Sequence, residues 1–247
     1  MGFNPVLVCD LDYAIRNLPD LSKEAGFELK PANLALVKPN ICGFYHPSLD
    51  LLVSVFDFLL KGCESVFVGE SWSGIHNPLK QFEKLGINRV LERFEGRVRA
   101  IDLSENGHIL VNVPRPHVLD EIEFPKMVFN AGVLVNVPKV GTHPSTRLTC
   151  ALKNLFGLLP EKRKSKVYHP LGVDKVVADI AQVVKPDLNV VDAGEKVIFG
   201  VDALAVDVVS CRFLDLDPLE VEHLKLVSED RGEKLEDFME RMKVVEI

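Results

Sequence analysis

The chain has 247 residues, a formal net charge of −7 and a hydrophobic share of 47%. That is enough apolar material for one α/β domain spanning residues 1–247. The negative charge excludes general binding to nucleic acid or to anionic membrane. No run of about 18 apolar residues is present to span a bilayer. The first ten residues have neither a basic start nor a cleavage site, so no signal peptide is expected. Cys9, Cys42, Cys63, Cys150 and Cys211 are scattered and form no CxxC pair. This argues against a locally encoded zinc ribbon or iron–sulfur cluster and favours buried cytosolic thiols.

In chain order, residues 6–9 read as a first strand, followed by a helical pattern to about Gly26. Residues 33–37 are a second strand, ending in Lys38, Pro39 and Asn40. Past a loop with Gly43 and His46, Pro47 and Ser48 open an apolar helix to about Lys61, closed by Gly62. Residues 65–68 are a third strand, ending in Gly69, Glu70 and Ser71. Residues 72–77 are rich in turn formers, and 79–85 form a short helix with Gly86 at its end. The pattern is less regular over 87–125. There, 97–102 and 108–113 suggest two strands about a turn at 105–107, a hairpin in a smaller irregular lobe.

Residues 133–137 are an apolar run of the kind that forms a buried strand. A connection follows over 138–143, and from Pro144 and Ser145 onward the sequence is periodic like a helix. At about 100° per residue, Leu148, Ala151, Leu152, Leu155 and Phe156 fall on one side. Thr146, Arg147, Thr149, Cys150, Lys153 and Asn154 fall on the other, and Gly157 is a natural C-terminal cap. A helix start leaves N–H groups unpaired and carries a positive dipole end, so strand, basic loop and helix together suit an anion. An ordinary amphipathic helix with a solvated face gives the same spacing.

Residues 158–171 form a loop that is locally basic at Lys162, Arg163, Lys164 and Lys166. It is either a solvated charged loop or a flap over an anionic ligand, with Tyr168 and His169 at its hinge. Residues 172–184 are helical, 188–191 are a strand ending in Asp192, and 197–199 are a short strand. Asp202 suits the cap of a helix from Ala203 to about Leu214. Helices near 219–229 and 232–242 and a strand at 244–247 complete the chain.

Alternating strands and helices predict an α/β fold: a mainly parallel sheet with helices on both faces, plus the smaller irregular lobe or hairpin near residues 87–125. In such sheets ligands bind beyond the C-terminal strand ends. Four of these ends are polar: Lys38 with Asn40, Glu70 with Ser71, Lys139 with Thr142 and His143, and Asp192. Together they predict a shared cleft. Lys139, His143 and Lys153 are the candidate catalytic residues. Crowded lysines lower one another's pKa, and histidine titrates near neutrality. Lys38, Asn40, Ser71, Thr142, Asn154 and His169 are candidate ligand contacts. Glu70 and Asp192 are candidates for a divalent-metal site or for holding a lysine in place; each lysine having its own carboxylate is the structural alternative. Asp207, among apolar neighbours, needs a partner, either another helix's N-terminus or a lysine.

VKPN at 37–40, VGES at 68–71, NVPKVGTHPSTRLTCALKNLFG at 136–157, the Tyr168–His169 pair, the strand ending at Asp192 and DALAVDVVSCRFLDLDP at 202–218 form a set of motifs. In this set the chain resembles the family known as domain of unknown function 362. The resemblance covers roughly residues 34–225 and implies an α/β fold and a cytoplasmic protein. Many relatives carry a ferredoxin-like segment with clustered cysteines, which this chain lacks, so no iron–sulfur cluster is expected. Relatives also tend to have a longer glycine-rich loop where this chain has only 193–196 after Asp192, so no ligand contact is carried over to that loop. The family's chemistry is largely unassigned.

Three functions follow as expectations. The first is an enzyme for a small phosphate- or carboxylate-bearing molecule, using lysine/histidine acid–base chemistry with or without a divalent metal. The second is a non-catalytic ligand-binding or redox-partner protein that uses the same cleft. The third is remote kinship to the nickel-pincer lactate racemases. The expected partner is a small anionic molecule, with no nucleic acid and no membrane. The cofactor and the oligomeric state are unknown from sequence.

Overall fold

Strands that are apolar at every position need cover on both faces, and this chain builds its main sheet from such strands. The computed structural model describes residues 4–41, 43, 45–105 and 107–247. The expectations for Cys42, for the middle of the 105–107 turn and for the first three residues lie outside the described residues. The strands β1 (Val6–Asp10), β2 (Ala32–Pro39), β3 (Cys63–Glu70), β4 (Val98–Asp102), β7 (Val133–Val137), β10 (Leu188–Asp192), β11 (Lys196–Gly200) and β12 (Val244–Glu246) form one eight-stranded sheet. Their order is β12-β1-β11-β10-β7-β2-β3-β4. Only β11 runs against its neighbours. The expected mainly parallel sheet is therefore present.

Successive residues of a strand go to opposite cores. Leu7 and Cys9 join one core while Val6 and Val8 join the other; likewise Val133, Val135 and Val137 oppose Leu134. The first core is covered by α1 (Leu11–Glu24), α2 (Leu49–Leu59), α3 (Pro78–Lys84) and α4 (Ile87–Leu91). The second is covered by α6 (Ala151–Leu155), α8 (Val173–Val183), α9 (Ala203–Ser210), α10 (Glu222–Asp230) and α11 (Leu235–Arg241). The short helices α5 (Met127–Asn130) and α7 (Lys164–Val167) lie in connections. No helix of the described residues is long and apolar enough to cross a membrane. Cys9, Cys63, Cys150 and Cys211 are buried thiols.

The structure revises two local expectations. The 97–102 and 108–113 segments do not pair with each other. The first is β4, a parallel edge strand on β3, delivered by the α3–α4 crossover; a helical crossover yields a parallel neighbour. Leu103 then buries against the sheet, and β5 (His108–Asn112) pairs with β6 (Glu121–Pro125) to make the small hairpin instead.

The helix expected from Pro144 to Phe156 begins only at Ala151. Before it, β8 (Gly141–His143) and β9 (Arg147–Thr149) form a tight hairpin. Arg147 takes a φ of +60°, a left-handed conformation that no α-helix contains. The true start is fixed from outside. The buried Asp207 carboxylate accepts the N–H groups of Ala151 at 2.6 Å and Leu152 at 2.9 Å, which satisfies two orphan donors of the first turn. Asp207 thus takes the capping role rather than pairing with a lysine. Gly157 is not a cap either, because the chain continues through a 3-10 turn over Phe156–Leu158.

Candidate functional site

The strand order reverses direction between β2 and β7. From β2 the chain builds outward through β3 and β4, and from β7 it builds the other way through β10. The connections also leave on opposite faces, β2 to α2 and β7 to α6. Such a switch point opens a crevice beyond the strand ends. Asn40 clasps the two loops together here. Its Oδ1 accepts the Lys139 N–H at 2.7 Å, and its Nδ2 donates to the Lys139 carbonyl at 3.0 Å.

A pocket of about 480 Å³ occupies this crevice. Of the expected residues it gathers Asn40, Glu70, Thr142, His143, Lys153, Asn154 and His169. Tyr45, Phe156 and Lys164 are also part of its wall. Tyr45 packs where Gly141 has no side chain, and its hydroxyl lies 3.2 Å from Thr142 Oγ1.

The three lysines have different fates. Lys38 is fully buried; its Nζ donates to Glu70 at 2.9 Å, to the Pro39 carbonyl at 2.8 Å and to Asn154 Oδ1 at 3.0 Å. Lys139 pairs with Asp192 at 2.6 Å. Lys153 makes no ion pair among the described residues and lies 4.5 Å from the centroid of the Phe156 ring. Burial and the nearby Lys38 charge lower its pKa from 10.5 to about 8, while Asp174 and Glu70 pull it back.

The two expected metal carboxylates stand apart in their bonding. Glu70 holds Lys38 and accepts the N–H groups of Ile41 and Ser71. Asp192 accepts Lys139, the Ser48 N–H at 2.8 Å and the Gly194 N–H at 2.8 Å, so it ties the start of α2 to the β7 loop. Among the described residues, no group of three or more His, Cys, Asp and Glu is placed to hold a metal.

Ser71 is buried beneath the pocket. It accepts the Lys164 ammonium at 2.6 Å and donates to the Gly157 carbonyl. Asn154 spends its amide on the Lys38 carbonyl at 2.8 Å and on Asn136 at 2.7 Å. Asn136 in turn bonds Asn189 at 2.9 Å. This buried amide chain fixes the end of α6 across the sheet. His143 Nδ1 faces the N–H groups of Ser145 at 3.2 Å and Thr146 at 3.3 Å. Burial, Lys153 and His169 push its pKa down to about 4. The ring is therefore neutral, with its proton on Nε2.

Sequence reasoning missed Tyr45, Asn136, Asp174 and His223. His223 is fully buried and its Nδ1 stands 2.7 Å from Asp174, whose charge acts on both His143 and Lys153. The two come from α8 and α10, far apart in the chain, and no local motif links them. Lys164 had a signal, being a lysine in the basic loop that reads either as solvated or as a flap over an anionic ligand, and the structure places it at the pocket wall.

An open, mostly parallel sheet with a cation-lined pocket at its switch point defines the class of α/β protein at hand. Residues 35–212 match the family described as Domain of unknown function (DUF362), and the chain belongs to that family. It is also similar to the Thylakoid-associated protein sll1697 of Synechocystis sp. (strain ATCC 27184 / PCC 6803 / Kazusa). The two are 23% identical over 238 residues, covering 83% of this chain and 70% of that protein. Among solved structures it resembles the lactate racemase apoprotein from Thermoanaerobacterium thermosaccharolyticum, with a TM-score of 0.51 and 16% identity. That likeness covers 84% of this chain but spans only 56% of the racemase chain, and it concerns the fold alone.

Proposed function

We propose that the switch-point pocket takes a small carboxylate- or phosphate-bearing molecule and that Lys153 exchanges a proton with it. The supporting observation is Lys153 itself: a lysine with a pKa of about 8, facing the pocket beside the neutral ring of His143. At pH 7 roughly a tenth of such a lysine is the free amine, enough to serve as a general base, and the rest can attract an anion. His143 Nε2–H is a donor toward the ligand, and Lys164 adds positive charge at the wall. Lys38 acts through Lys153, and Lys139 through the Asp192 clasp, so neither is assigned contact with the ligand. A cytoplasmic setting belongs to the same reading and is supported by the buried thiols.

Deuterium exchange tests this directly. Small 2-hydroxy, 2-keto and dicarboxylic acids and phosphomonoesters are incubated with the protein in D2O, and carbon-bound deuterium is followed by NMR. The expected result is exchange into at least one acid with the native protein and none with Lys153→Met. Exchange that survives in Lys153→Met sinks the proposal. Binding without exchange favours a ligand-binding protein over an enzyme.

The fold likeness to lactate racemase favours one narrower reading, in which the acid is a 2-hydroxy acid inverted at carbon 2. The chain's own donors do not make a nickel site among the described residues, so no step is assigned to nickel. Nickel found by elemental analysis of the purified protein, together with inversion of lactate, is the result that supports this reading.

A further inference from the structure

α6 has a second pocket on its other side, also of about 480 Å³ and different in chemistry. Leu152 and Leu155 of α6, Ala178 and Ala181 of α8 and Val227 of α10 line its apolar floor. Its rim carries three cations, Arg115, Lys185 and Arg231, and two carboxylates, Asp202 and Asp230. Both carboxylates are already engaged. Asp202 takes the Arg231 guanidinium at 2.6 and 2.9 Å and caps α9 through the Leu204 N–H. Asp230 accepts Gln182 Nε2 at 3.0 Å and faces His117 Nε2 at 3.1 Å. Arg115 and Lys185 make no ion pair among the described residues.

We propose that this pocket is a second binding site, for a small amphiphilic anion: a carboxylate or phosphate head at Arg115 and Lys185, and an apolar body against the Pro114, Ala181 and Val201 lining. Three features argue for that chemistry. Three cations against two carboxylates leave this rim net positive in a chain whose net charge is −7, so the local field opposes the global one. Leu152, Leu155, Ala178 and Val227 are already buried, but Pro114, Ala181 and Val201 of the lining keep exposed apolar surface, which gains by exchanging water for hydrocarbon, as a bare anion does not provide. The rim is preorganised as well. Gln182 accepts the Arg115 N–H at 3.0 Å and donates to the Arg115 carbonyl at 2.8 Å, so the backbone that carries the guanidinium is pinned to α8 before any ligand arrives. The same helix, α6, presents Lys153 to the other pocket, which makes the two sites neighbours across one turn and a half of backbone.

Isothermal titration with octanoate, and with octylamine as the opposite-charge control, tests the site. Arg115 and Lys185 are exposed, so Arg115→Glu/Lys185→Glu is expected to fold, with an unchanged melting curve as the check. Octanoate is expected to bind one equivalent to the native protein, and the double reversal to weaken it by roughly 10-fold or more. Ala181→Trp, which fills the floor, is expected to abolish binding. Lys153→Met is expected to leave octanoate affinity within about twofold of native, because that residue belongs to the first pocket. The proposal is overturned by no octanoate heat up to about 5 mM, by equal binding in the double reversal, or by equal affinity for octylamine. Loss of binding in Lys153→Met alone also overturns it, since that result assigns octanoate to the first pocket.

Discussion

Lys38 Nζ stands 2.9 Å from Glu70 Oε2 with side-chain exposures of 0% and 4%, so the ends of β2 and β3 are joined by an ion pair sealed from water. Such a pair stabilises little against an apolar replacement, but removing one partner strands the other. Here the remaining hydrogen bonds are also made, by Pro39, Asn154, Ile41 and Ser71. Glu70→Gln is therefore expected to cost about 3–5 kcal/mol in urea denaturation. Lys38→Met/Glu70→Leu should recover part of that loss, since no charge is stranded while the polar groups of Pro39, Asn154, Ile41 and Ser71 lose these partners. If the double variant is as unstable as the single one, the pair is a net contributor and this account is wrong.

Lys153 illustrates a conflict between stability and function. Its folded pKa, about 8, lies below its ordinary value of 10.5. Between those two pH values the unfolded chain binds the extra proton, so stability rises with pH across that window and the full cost is present below pH 8. Lys153→Met removes the cost. The expected gain at pH 7 is at most about 3 kcal/mol, less to the extent that water reaches the pocket side. Denaturant midpoints at pH 7 and pH 10 provide the measurement: the variant should be more stable at pH 7 and lose most of its advantage by pH 10.

The sheet was legible because its strands are local runs of apolar residues, and a run such as 133–137 has few other ways to fold. The cleft was legible to the extent that polar residues sit directly at strand ends: Asn40, Glu70, Thr142 and His143 all reach the pocket. What sequence could not supply was long-range pairing. Residues 144–156 have helical periodicity, yet the first half of that stretch is a hairpin, because the N-terminal cap comes from Asp207, more than fifty residues downstream. Likewise the lysines look alike in sequence. Only the fold separates Lys38 with its buried glutamate and Lys139 with Asp192 from Lys153, which has no such partner among the described residues.

Gly157 has a role that its place at a helix end disguises. A Cβ there would lie 2.5 Å from Lys38 Nζ and 2.6 Å from Glu70 Oε1, inside any permitted contact. Its carbonyl also receives the Ser71 hydroxyl. Gly157→Ala is expected to destabilise by about 2–4 kcal/mol through strain on a buried ion pair, well beyond the fraction of a kcal/mol that a helix-end substitution costs. Denaturation of Gly157→Ala in the Lys38→Met/Glu70→Leu background separates the two causes: the penalty should shrink once the pair is gone.

His143 supplies the sharpest spectroscopic test of the pocket. Its pKa of about 4 lies below the ordinary 6.5, with burial the larger cause and the Lys153 charge the next. From pH 4 to 6.5 the unfolded chain binds more protons, so stability should rise with pH over that interval and level off below about pH 4, where the folded ring is protonated as well. At pH 6 the ring should be neutral, with its proton on Nε2, because Nδ1 receives the Ser145 and Thr146 N–H groups. Nitrogen-15 NMR of the histidine ring distinguishes the two tautomers and the imidazolium. Lys153→Met should raise the His143 pKa by relieving repulsion, whereas Lys139→Met, whose positive charge is held against Asp192, should leave it in place. An imidazolium at pH 6 in the native protein would show that the pocket is wetter and less positive than its geometry implies.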